Sequence, residues 1–327
     1  MDDARYLIRP FADADYDAVS RIWNRVDPGE PVTADLIRHY FHVVQAPGRF
    51  QHVLSVEDRR SKEVVATGSV FHAPWAFDPD RYWIWISVDP DHQGRGIGRQ
   101  LFHDLEGVAS SRHAKAVLGG VRAEEPRSVR FFEQSGFVET ERVWTSILDL
   151  TPPVSTGGAP ARQMWASEGV ELTTLGKEGA QRPEVRERIY QLCKETSADV
   201  PRRGPSSSWT FEQFVETAFA GPGYLPEGVF LARAGDEYVS ITRLDKMPAK
   251  PDSLYVGYTG TRRSYRGRGI ASELKRQAIE FARAGGYHYL QTNNHSLNQP
   301  IWAINEKLGF RQHRVLIDGE KVLANPE

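Results

Sequence analysis

The sequence is poor in cysteine, with Cys193 alone among 327 residues. One cysteine excludes an intrachain disulfide and a zinc site built from several cysteines, which fits a reducing compartment. Long apolar runs are missing too, because the longest, near 82–86, falls far short of the roughly 18 residues that a membrane-spanning helix needs. The Met1-Asp2-Asp3 start lacks the basic head of a secretory signal. We therefore expect a cytoplasmic protein without a membrane segment.

The chain also lacks an excess of one charge, since 41 Lys and Arg against 43 Asp and Glu give a net charge of −2. Without an overall positive field, we expect neither nucleic acid nor a membrane surface as a partner. Hydrophobic residues at 40% and charged residues at 26% are typical of a globular protein. The length predicts about two domains.

A linker signature lies near the middle of the chain. Residues 151–160 contain three prolines, two glycines and three hydroxyl side chains, a composition typical of a connection between domains. We predict an N-terminal domain at 1–150, a linker at 151–167 and a C-terminal domain at 168–327.

The two halves carry an internal repeat. The glycine-rich turn at 93–98 returns at 266–271, an offset of 173, and Gly136-Phe137 returns at the same offset as Gly309-Phe310. A β-rich run precedes each turn, and an apolar stripe at helical spacing follows it. A last strand is predicted in each half, at 141–149 and 314–323. These patterns predict two copies of one α/β fold with a mixed sheet.

A glycine turn between a strand and a helix suits a phosphate or pyrophosphate, because the first backbone N–H groups of the helix are unpaired and a Cβ would hold the anion away. The Walker pattern does not fit either turn, since no Lys-Ser or Lys-Thr follows. The dinucleotide fingerprint does not fit either, because Arg99 and Ser272 stand where its third glycine falls. Both turns satisfy Gln/Arg-x-x-Gly-x-Gly/Ala.

With this loop, the flanking elements and Gly-Phe occurring twice, each half resembles the GNAT superfamily of N-acetyltransferases. The resemblance implies that acetyl-CoA is the cofactor, with its pyrophosphate in the loop and its pantetheine arm along the preceding strand. The loop residues it implies are Gln93, Gly94, Arg95, Gly96, Ile97, Gly98, Arg266, Gly267, Arg268, Gly269, Ile270 and Ala271. The strand residues it implies are Ile86, Ser87, Val88, Thr259, Gly260 and Thr261.

The resemblance also implies catalytic positions, at which the two halves differ. Where the family usually has a tyrosine acid, four residues before the glycine of Gly-Phe, the chain has Phe132 and Asn305. Seven residues earlier, where the family tends to have an asparagine that binds pantetheine, Asn298 is present in the second half only. The implied oxyanion donor is a backbone N–H near Thr259. We therefore predict Asn305, Asn298 and Thr259 as catalytic, in the C-terminal half.

The resulting hypothesis is an N-acetyltransferase that moves the acetyl group of acetyl-CoA to a primary amine of a small molecule by direct attack. A non-catalytic, cofactor-sensing protein is the alternative, and an aminoacyl-tRNA-dependent transferase of the same fold is a third hypothesis that the charge disfavours. The general base stays open among Tyr255, Tyr258, Glu195 and Asp199. We expect a monomer or homodimer without a metal site, and Cys193 on the buried face of a helix.

Overall fold

The computed structural model describes residues 1–323 apart from 3, 46, 75, 153–168 and 201–208. The predicted linker lies outside the described residues from 153 onward. In the part of the chain that is described, no helix has the length and apolar character to cross a bilayer.

The first half alternates helices and strands in one continuous series, with short 3-10 turns at Asp13–Asp15 and Pro90–His92. Its elements are β1 (Tyr6–Pro10), α1 (Tyr16–Val26), α2 (Ala34–Val44), β2 (Gln51–Asp58), β3 (Glu63–Phe71), β4 (Arg81–Val88), α3 (Ile97–Ser111), β5 (Ala116–Arg122), α4 (Pro126–Gln134) and β6 (Val138–Asp149).

The second half repeats this order, again with 3-10 turns, at Pro226–Gly228 and Arg263–Tyr265. Its elements are β7 (Val170–Thr174), α5 (Leu175–Glu178), α6 (Pro183–Ser197), α7 (Phe211–Phe219), β8 (Val229–Ala234), β9 (Glu237–Lys246), β10 (Ser253–Thr261), α8 (Ile270–Ala284), β11 (Tyr289–His295), α9 (Gln299–Lys307) and β12 (Arg311–Val322). Helices α3 and α8 both have 15 residues, and α4 and α9 both have 9. The predicted duplication is therefore present in the fold.

Two compact units result, each with a mixed sheet covered by helices. Unit 1 comprises Met1–Arg142 and Val315–Glu327, and unit 2 comprises Val143–Arg314. The strand order is β1-β2-β3-β4-β5-β12 in unit 1 and β7-β8-β9-β10-β11-β6 in unit 2. Neighbours are antiparallel except for β4 with β5 and β10 with β11. This confirms the predicted α/β class with mixed sheets.

The last strand of each half belongs to the sheet of the other unit. β12 pairs with β5 from Leu316↔Arg122 to Val322↔Ala116, and β6 pairs with β11. The predicted boundaries at 150 and 168 follow the sequence repeat and keep each last strand with its own half. The compact units divide the chain after Arg142 and after Arg314, because β6 and β12 pair with strands of the other half. The domain boundaries read from the repeat stay a prediction.

The helix after each glycine turn packs on its sheet through the stripe that the sequence predicts. Leu101 and Leu105 of α3, and Leu274 of α8, are fully buried. Residues spaced by three and four share one helical face, so one face of each helix is apolar and faces the sheet. This packing fixes the start of each helix, and with it the glycine turn, against the strand that precedes it.

We predict that Gly319→Val destabilises unit 1, although residue 319 belongs to the second half of the sequence. A Cβ on Gly319 would collide with the ring of Phe132 and lie 2.6 Å from the carbonyl oxygen of Val138. Overpacking of this kind costs about 1–3 kcal/mol of the free energy of unfolding. Urea unfolding measures the loss, and amide hydrogen exchange should locate it in β5 and spare β8.

Gly107→Ala is the matched control. An added Cβ at Gly107, within α3, has nothing within 4 Å, and alanine is the better helix former by about 1 kcal/mol. This variant should be as stable as the parent or more so. Loss of protection in β8 and not in β5 on changing Gly319 would contradict the strand exchange.

Candidate functional site

The two glycine turns have one backbone conformation. The φ angles are +76° at Gly94 and +80° at Gly96, against +75° at Gly267 and +78° at Gly269. These left-handed values favour glycine, which explains the predicted spacing. Gly96 and Gly269 are also the N-cap residues of α3 and α8. Each turn therefore presents the unpaired first N–H groups of a 15-residue helix, which is an anion-binding arrangement.

The first side chain of each loop holds the turn against its own strand. Gln93 Nε2 donates to the carbonyl oxygen of Val88 at 3.1 Å, and Arg266 Nε donates to that of Thr261 at 2.9 Å. The two contacts are equivalent, because the two donor residues are separated by the repeat offset of 173 and so are the two acceptor residues. The Gln/Arg of the motif thus fixes the loop conformation through a backbone carbonyl.

The arginine between the two glycines of each loop has a similar structural task. Arg95 Nη2 donates to the carbonyl of Asp91 at 2.9 Å, and Arg268 Nη2 donates to that of Ser264 at 2.7 Å. Each guanidinium therefore closes the 3-10 turn that precedes its loop. The backbone N–H groups are the part of both loops that faces an anion.

Each sheet opens next to its loop. β4 pairs with the parallel strand β5 only over 81–83, and β10 pairs with β11 only over 253–255. Beyond these positions the parallel strands separate, while the antiparallel partners β3 and β9 stay paired. A gap between backbones therefore leads from the middle of each sheet to its glycine turn, as the resemblance implies.

The backbone of β10 directs alternate groups into this gap. The N–H of Arg262 donates to Val239 of β9 at 2.9 Å. Because backbone groups of successive residues point to opposite edges of a strand, Gly260 also faces β9. Thr259 and Thr261 then face the side from which β11 has separated. The predicted oxyanion donor, the N–H of Thr259, is on the open side.

Unit 1 contains a cavity of about 530 Å³ at its gap. The N–H of Asp89 donates to Val65 of β3 at 2.9 Å, so the same alternation aims Ile86 and Val88 into the gap. The predicted residues that line the cavity are Ile86, Ser87, Val88, Gln93, Gly94, Gly96, Ile97 and Gly98. Arg95 is the predicted first-half residue that does not line it.

The wall of this cavity is aromatic at the position where the family usually has a tyrosine acid. Phe132 lines the cavity, is 5% exposed and stacks on Phe137 at 4.6 Å between ring centroids. Phe102 lines it as well, at 5.6 Å from Phe137. A phenyl ring neither donates nor accepts a proton, so this wall supplies packing and no acid or base.

The equivalent wall in unit 2 is polar. Asn305, which replaces Phe132, is fully buried, and within the described chain neither its Nδ2 nor its Oδ1 has a hydrogen-bond partner. Asn294 on β11 is 1% exposed; its Oδ1 accepts from Ser146 at 3.0 Å, while its Nδ2 lacks a described partner. A buried polar group without a partner costs about 1–3 kcal/mol. These amides therefore mark where a bound molecule can supply hydrogen bonds.

The other predicted residues of unit 2 lie around the same gap. Asn298 is the N-cap residue of α9 and makes no side-chain capping bond. The hydroxyl of Thr259 is 3.3 Å from that of Thr242 on β9. The catalytic roles of Asn298 and Thr259 stay predictions.

Lys275 is a second polar replacement in unit 2. It stands where unit 1 has Phe102, is 3% exposed, and has its Nζ 5.7 Å from the centroid of Phe310. Burial lowers the pKa of Lys275 to about 7. The ammonium is therefore far less favoured than at an ordinary lysine. Lys275 was not predicted from the sequence, and its position on the apolar face of the helix after the glycine turn was the available signal.

Sequence analysis also missed Asp245, which contacts the β10 strand at a bulge. The β9–β10 register shifts between Val256 and Tyr258, so Gly257 is the bulged residue. A Cβ on Gly257 would collide with Asp245 Oδ2 and lie 3.0 Å from Arg243 Nη2. The carboxylate therefore lies directly over the backbone of β10, just past its last pairing with β11. An isolated glycine inside a strand is the sequence signal for such a close approach.

The surroundings of Asp245 shift the pKa of its carboxyl group. Burial raises its pKa, and the neighbouring Arg243 lowers it by a smaller amount. Both Arg243 contacts, from Nε and Nη2 at 3.1 Å, go to Oδ2, so Oδ1 is not engaged by Arg243. The carboxylate side chain is 19% exposed. Among the described residues, Tyr255 lies opposite it on β10, with Cys193 and Tyr224 close to Arg243.

Unit 1 differs at these positions. Its β3–β4 register runs without a shift from Ala66↔Val88 to Phe71↔Trp83. Ser69 pairs with Trp85 in unit 1, and Arg243 pairs with Tyr258 at the equivalent position of unit 2. Two residues after Ser69 and Arg243 stand Phe71 and Asp245, so Phe71 occupies the position of Asp245. Trp85 packs edge-on against Phe71 at 4.8 Å.

Three of the predicted base candidates are engaged in other contacts. The Tyr258 hydroxyl bonds with Thr196 Oγ1 at 2.7 Å. Asp199 forms ion pairs with Arg263 and Arg266, which lower its pKa. Glu195 Oε2 lies 3.5 Å from Nε of Arg262, with which it forms an ion pair.

Cys193 is a neutral thiol, as burial raises its pKa to about 12. In the part of the chain that is described, no group of three His, Cys, Asp or Glu side chains is arranged to hold a metal.

Comparison with known proteins decides the family. The family model described as "Acetyltransferase (GNAT) family" matches residues 16–137 and 188–310. The chain belongs to the GNAT family. The two matches confirm the predicted tandem arrangement, and they cover both glycine turns and both Gly-Phe pairs. The exchanged strands lie outside the two matched regions.

Solved GNAT structures share the fold over the whole chain. A tandem GNAT protein from the clavulanic acid biosynthesis pathway is 17% identical, with a TM-score of 0.75 over 98% of this chain and 100% of that one. A GCN5-related N-acetyltransferase from Sphaerobacter thermophilus is 19% identical, with a TM-score of 0.70 over 97% of this chain and 96% of that one. At these identities the likeness concerns the fold.

Curated relatives match a shorter stretch. The L-amino acid N-acyltransferase MnaT of Escherichia coli (strain K12) is 32% identical over 82 residues, which are 24% of this chain and 48% of that protein. The chain thus spans about half the length of the curated relatives it matches.

We predict that the stability of unit 2 rises from about pH 7 to about pH 9 because of Lys275. The unfolded lysine keeps its proton to about pH 10, whereas the folded one loses it near pH 7. Between these values the unfolded state binds more protons, so the free energy of unfolding increases with pH, by about 2 kcal/mol over this interval. Urea unfolding at both pH values measures the rise.

Lys275→Met should remove this rise and be more stable than the parent at about pH 7, because methionine has no charge to bury. The exposed Lys177 provides the control, since Lys177→Met should retain the rise. An equal rise in Lys275→Met and the parent would contradict the assignment.

Proposed function

We propose that this chain is an N-acetyltransferase that moves the acetyl group of acetyl-CoA to a primary amine of a small molecule within a ternary complex, with unit 2 as the catalytic unit. The observation that carries the proposal is the pair of sheet openings, each leading to a helix N-terminus. Such a gap accepts an extended arm with amide groups along the backbone, and its end accepts a pyrophosphate. Coenzyme A has this order of parts.

The residues of unit 2 fit the thioester end of the donor. The backbone N–H of Thr259 faces the gap and is placed to donate to the thioester oxygen as negative charge develops on it. The amides of Asn305 and Asn298 supply hydrogen bonds to the pantetheine and to the leaving sulfur. A thiol with a pKa near 8.5 needs no strong acid to leave, so an asparagine suffices at the tyrosine position.

Asp245 is the general base in this proposal. It lies over the β10 backbone beside the gap, and its raised pKa brings its proton affinity closer to that of the arriving amine. The carboxylate removes the proton from the ammonium. The carboxyl group then releases that proton to solvent. The neutral amine nitrogen forms a bond to the thioester carbon and the C–S bond breaks. The nitrogen loses its remaining extra proton to solvent, and the thiolate takes a proton from solvent. Holding both substrates together supplies much of the acceleration.

Unit 1 binds acyl-CoA without turnover in this proposal. Its cavity is lined by the predicted loop and strand residues, whereas Phe132 and Phe71 stand where unit 2 has Asn305 and Asp245. The same aromatic wall favours the second candidate function, an acyl-CoA sensor, for the whole protein if unit 2 also proves silent.

Release of free thiol from acetyl-CoA, with an amine panel that begins with L-amino acids, tests the function. The panel starts there because one matched relative is an L-amino acid N-acyltransferase. We expect Gly269→Val to lower turnover by about 100-fold, because a β-branched residue at a left-handed φ displaces the loop and misplaces the donor. The matched Gly96→Val should instead remove one equivalent of bound acetyl-CoA.

The outcomes separate the hypotheses. Turnover lost in Gly96→Val and retained in Gly269→Val would assign catalysis to unit 1. Binding of acetyl-CoA without thiol release for any amine would favour the sensor. Absence of acetyl-CoA binding would rule out both.

A second prediction concerns Asp245→Asn. Because the base acts only when deprotonated, kcat/KM of the parent should fall at acid pH with a pKa above that of an ordinary carboxyl. Asp245→Asn should lower kcat for an alkylamine acceptor by about 100-fold and abolish this acid limb. An arylamine, which is already neutral at about pH 7, should be affected far less.

Asp236→Asn, in the exposed turn between β8 and β9, is the control for general effects of losing a carboxylate. Equal losses for the alkylamine and the arylamine in Asp245→Asn would indicate a structural role and contradict the assignment of a base.

A further inference from the structure

Three arginines line the cavity of unit 1. Arg99 belongs to the first turn of α3, while Arg127 and Arg130 lie three residues apart on α4. Positions three apart share one helical face, so the Arg127 and Arg130 side chains start from the same face of α4. We call Arg99, Arg127 and Arg130 the arginine triad. All three residues are exposed, so their charged ends remain accessible to a ligand from solvent.

The triad has no acidic counterpart at the cavity. Among the described residues that line it there is no aspartate or glutamate. Arg127 Nη1 donates to Gln93 Oε1 at 3.0 Å, a neutral partner. Other arginines of this unit, such as Arg25 with Asp89, are paired with carboxylates. Like charges gathered at one opening repel one another, and an anion bound between them relieves that repulsion.

The pyrophosphate does not account for these charges, because the glycine turn already provides its backbone N–H groups. The α4 arginines lie on a different element from the glycine turn. Coenzyme A carries a third phosphate, on the 3′ oxygen of its ribose, at the nucleotide end of the molecule. Arginine binds phosphate well because its planar fork donates two parallel hydrogen bonds.

Unit 2 lacks this charge pattern altogether. At the offset of 173 the triad positions are Ser272, Pro300 and Ala303, and none of them is a cation. The α3/α8 and α4/α9 helices have equal lengths and matching starts, so the comparison is made at equivalent places. The duplication has thus kept both glycine turns and placed the three arginines in one unit only.

We infer that the arginine triad is a binding site for the ribose 3′-phosphate of the coenzyme A nucleotide, present in unit 1 and absent from unit 2. This inference rests on the proposed function, in that the donor is an acyl-CoA. It makes the unit 1 site the tighter of the two and selective for the 3′-phosphorylated nucleotide. The unit 2 site takes its affinity from the loop and the pantetheine arm.

Titration calorimetry of the full chain with coenzyme A and with 3′-dephospho-coenzyme A tests this. We expect two classes of site, of which one binds coenzyme A about 10-fold more tightly than the dephospho form, and the other binds both equally. The factor corresponds to one charge-assisted contact partly screened by solvent. The selectivity should shrink as salt is raised.

The variant is Arg99→Ala/Arg130→Ala, which leaves the Arg127 bond to Gln93 and hence the loop intact. It should lower the affinity for coenzyme A to that for the dephospho form, with little change for the latter. The matched control, Arg59→Ala/Arg60→Ala, removes two exposed arginines from the β2–β3 turn and should keep the selectivity.

Equal binding of the two ligands at both sites of the parent would overturn the inference and leave the proposed function standing. Selectivity that survives in Arg99→Ala/Arg130→Ala would also overturn it. If neither coenzyme A nor acetyl-CoA binds, it is the proposed function that fails.

Discussion

β4 and β10 both continue beyond their last pairing with the parallel strands β5 and β11. Along that edge their backbone N–H and C=O groups have no neighbouring strand to pair with. Unpaired backbone groups inside a protein are costly, so a sheet opens like this only where something else satisfies them. The separation depends on the helix that follows each glycine turn, because its buried stripe holds that turn at the end of the open strand. In unit 1, all the predicted loop and strand residues except Arg95 line this opening.

The two openings have the same backbone arrangement and differ in the side chains around them. In unit 1, aromatic rings fill the wall and cations surround the mouth, which suits retention of a large anionic ligand. In unit 2, buried amides, a lysine with a lowered pKa and a carboxylate at a bulge replace them. Buried polar groups without hydrogen-bond partners weaken a fold. The opening of unit 2 therefore carries an energetic burden at the positions where unit 1 has Phe132 and Phe102.

The glycine turns and the duplication could be predicted because they depend on local signals, namely left-handed glycines and an apolar stripe at helical spacing. Asn305 could be found because it lies at a fixed distance from Gly-Phe. Asp245 could not, since its place depends on a register shift between two strands. Lys275 was hidden because it interrupts the apolar face of an amphipathic helix without changing the spacing of the other apolar residues. Strand exchange leaves no local trace, because β6 and β12 have the same pattern whichever sheet receives them.

That exchange has a consequence for biosynthesis. While the chain is emerging from the ribosome, unit 1 has five of its six strands and an uncovered β5 edge until β12 arrives. Exposed edges invite pairing with other chains. A nonsense codon shortly before β12 would therefore leave the β5 edge unpaired and damage the half that is already synthesised.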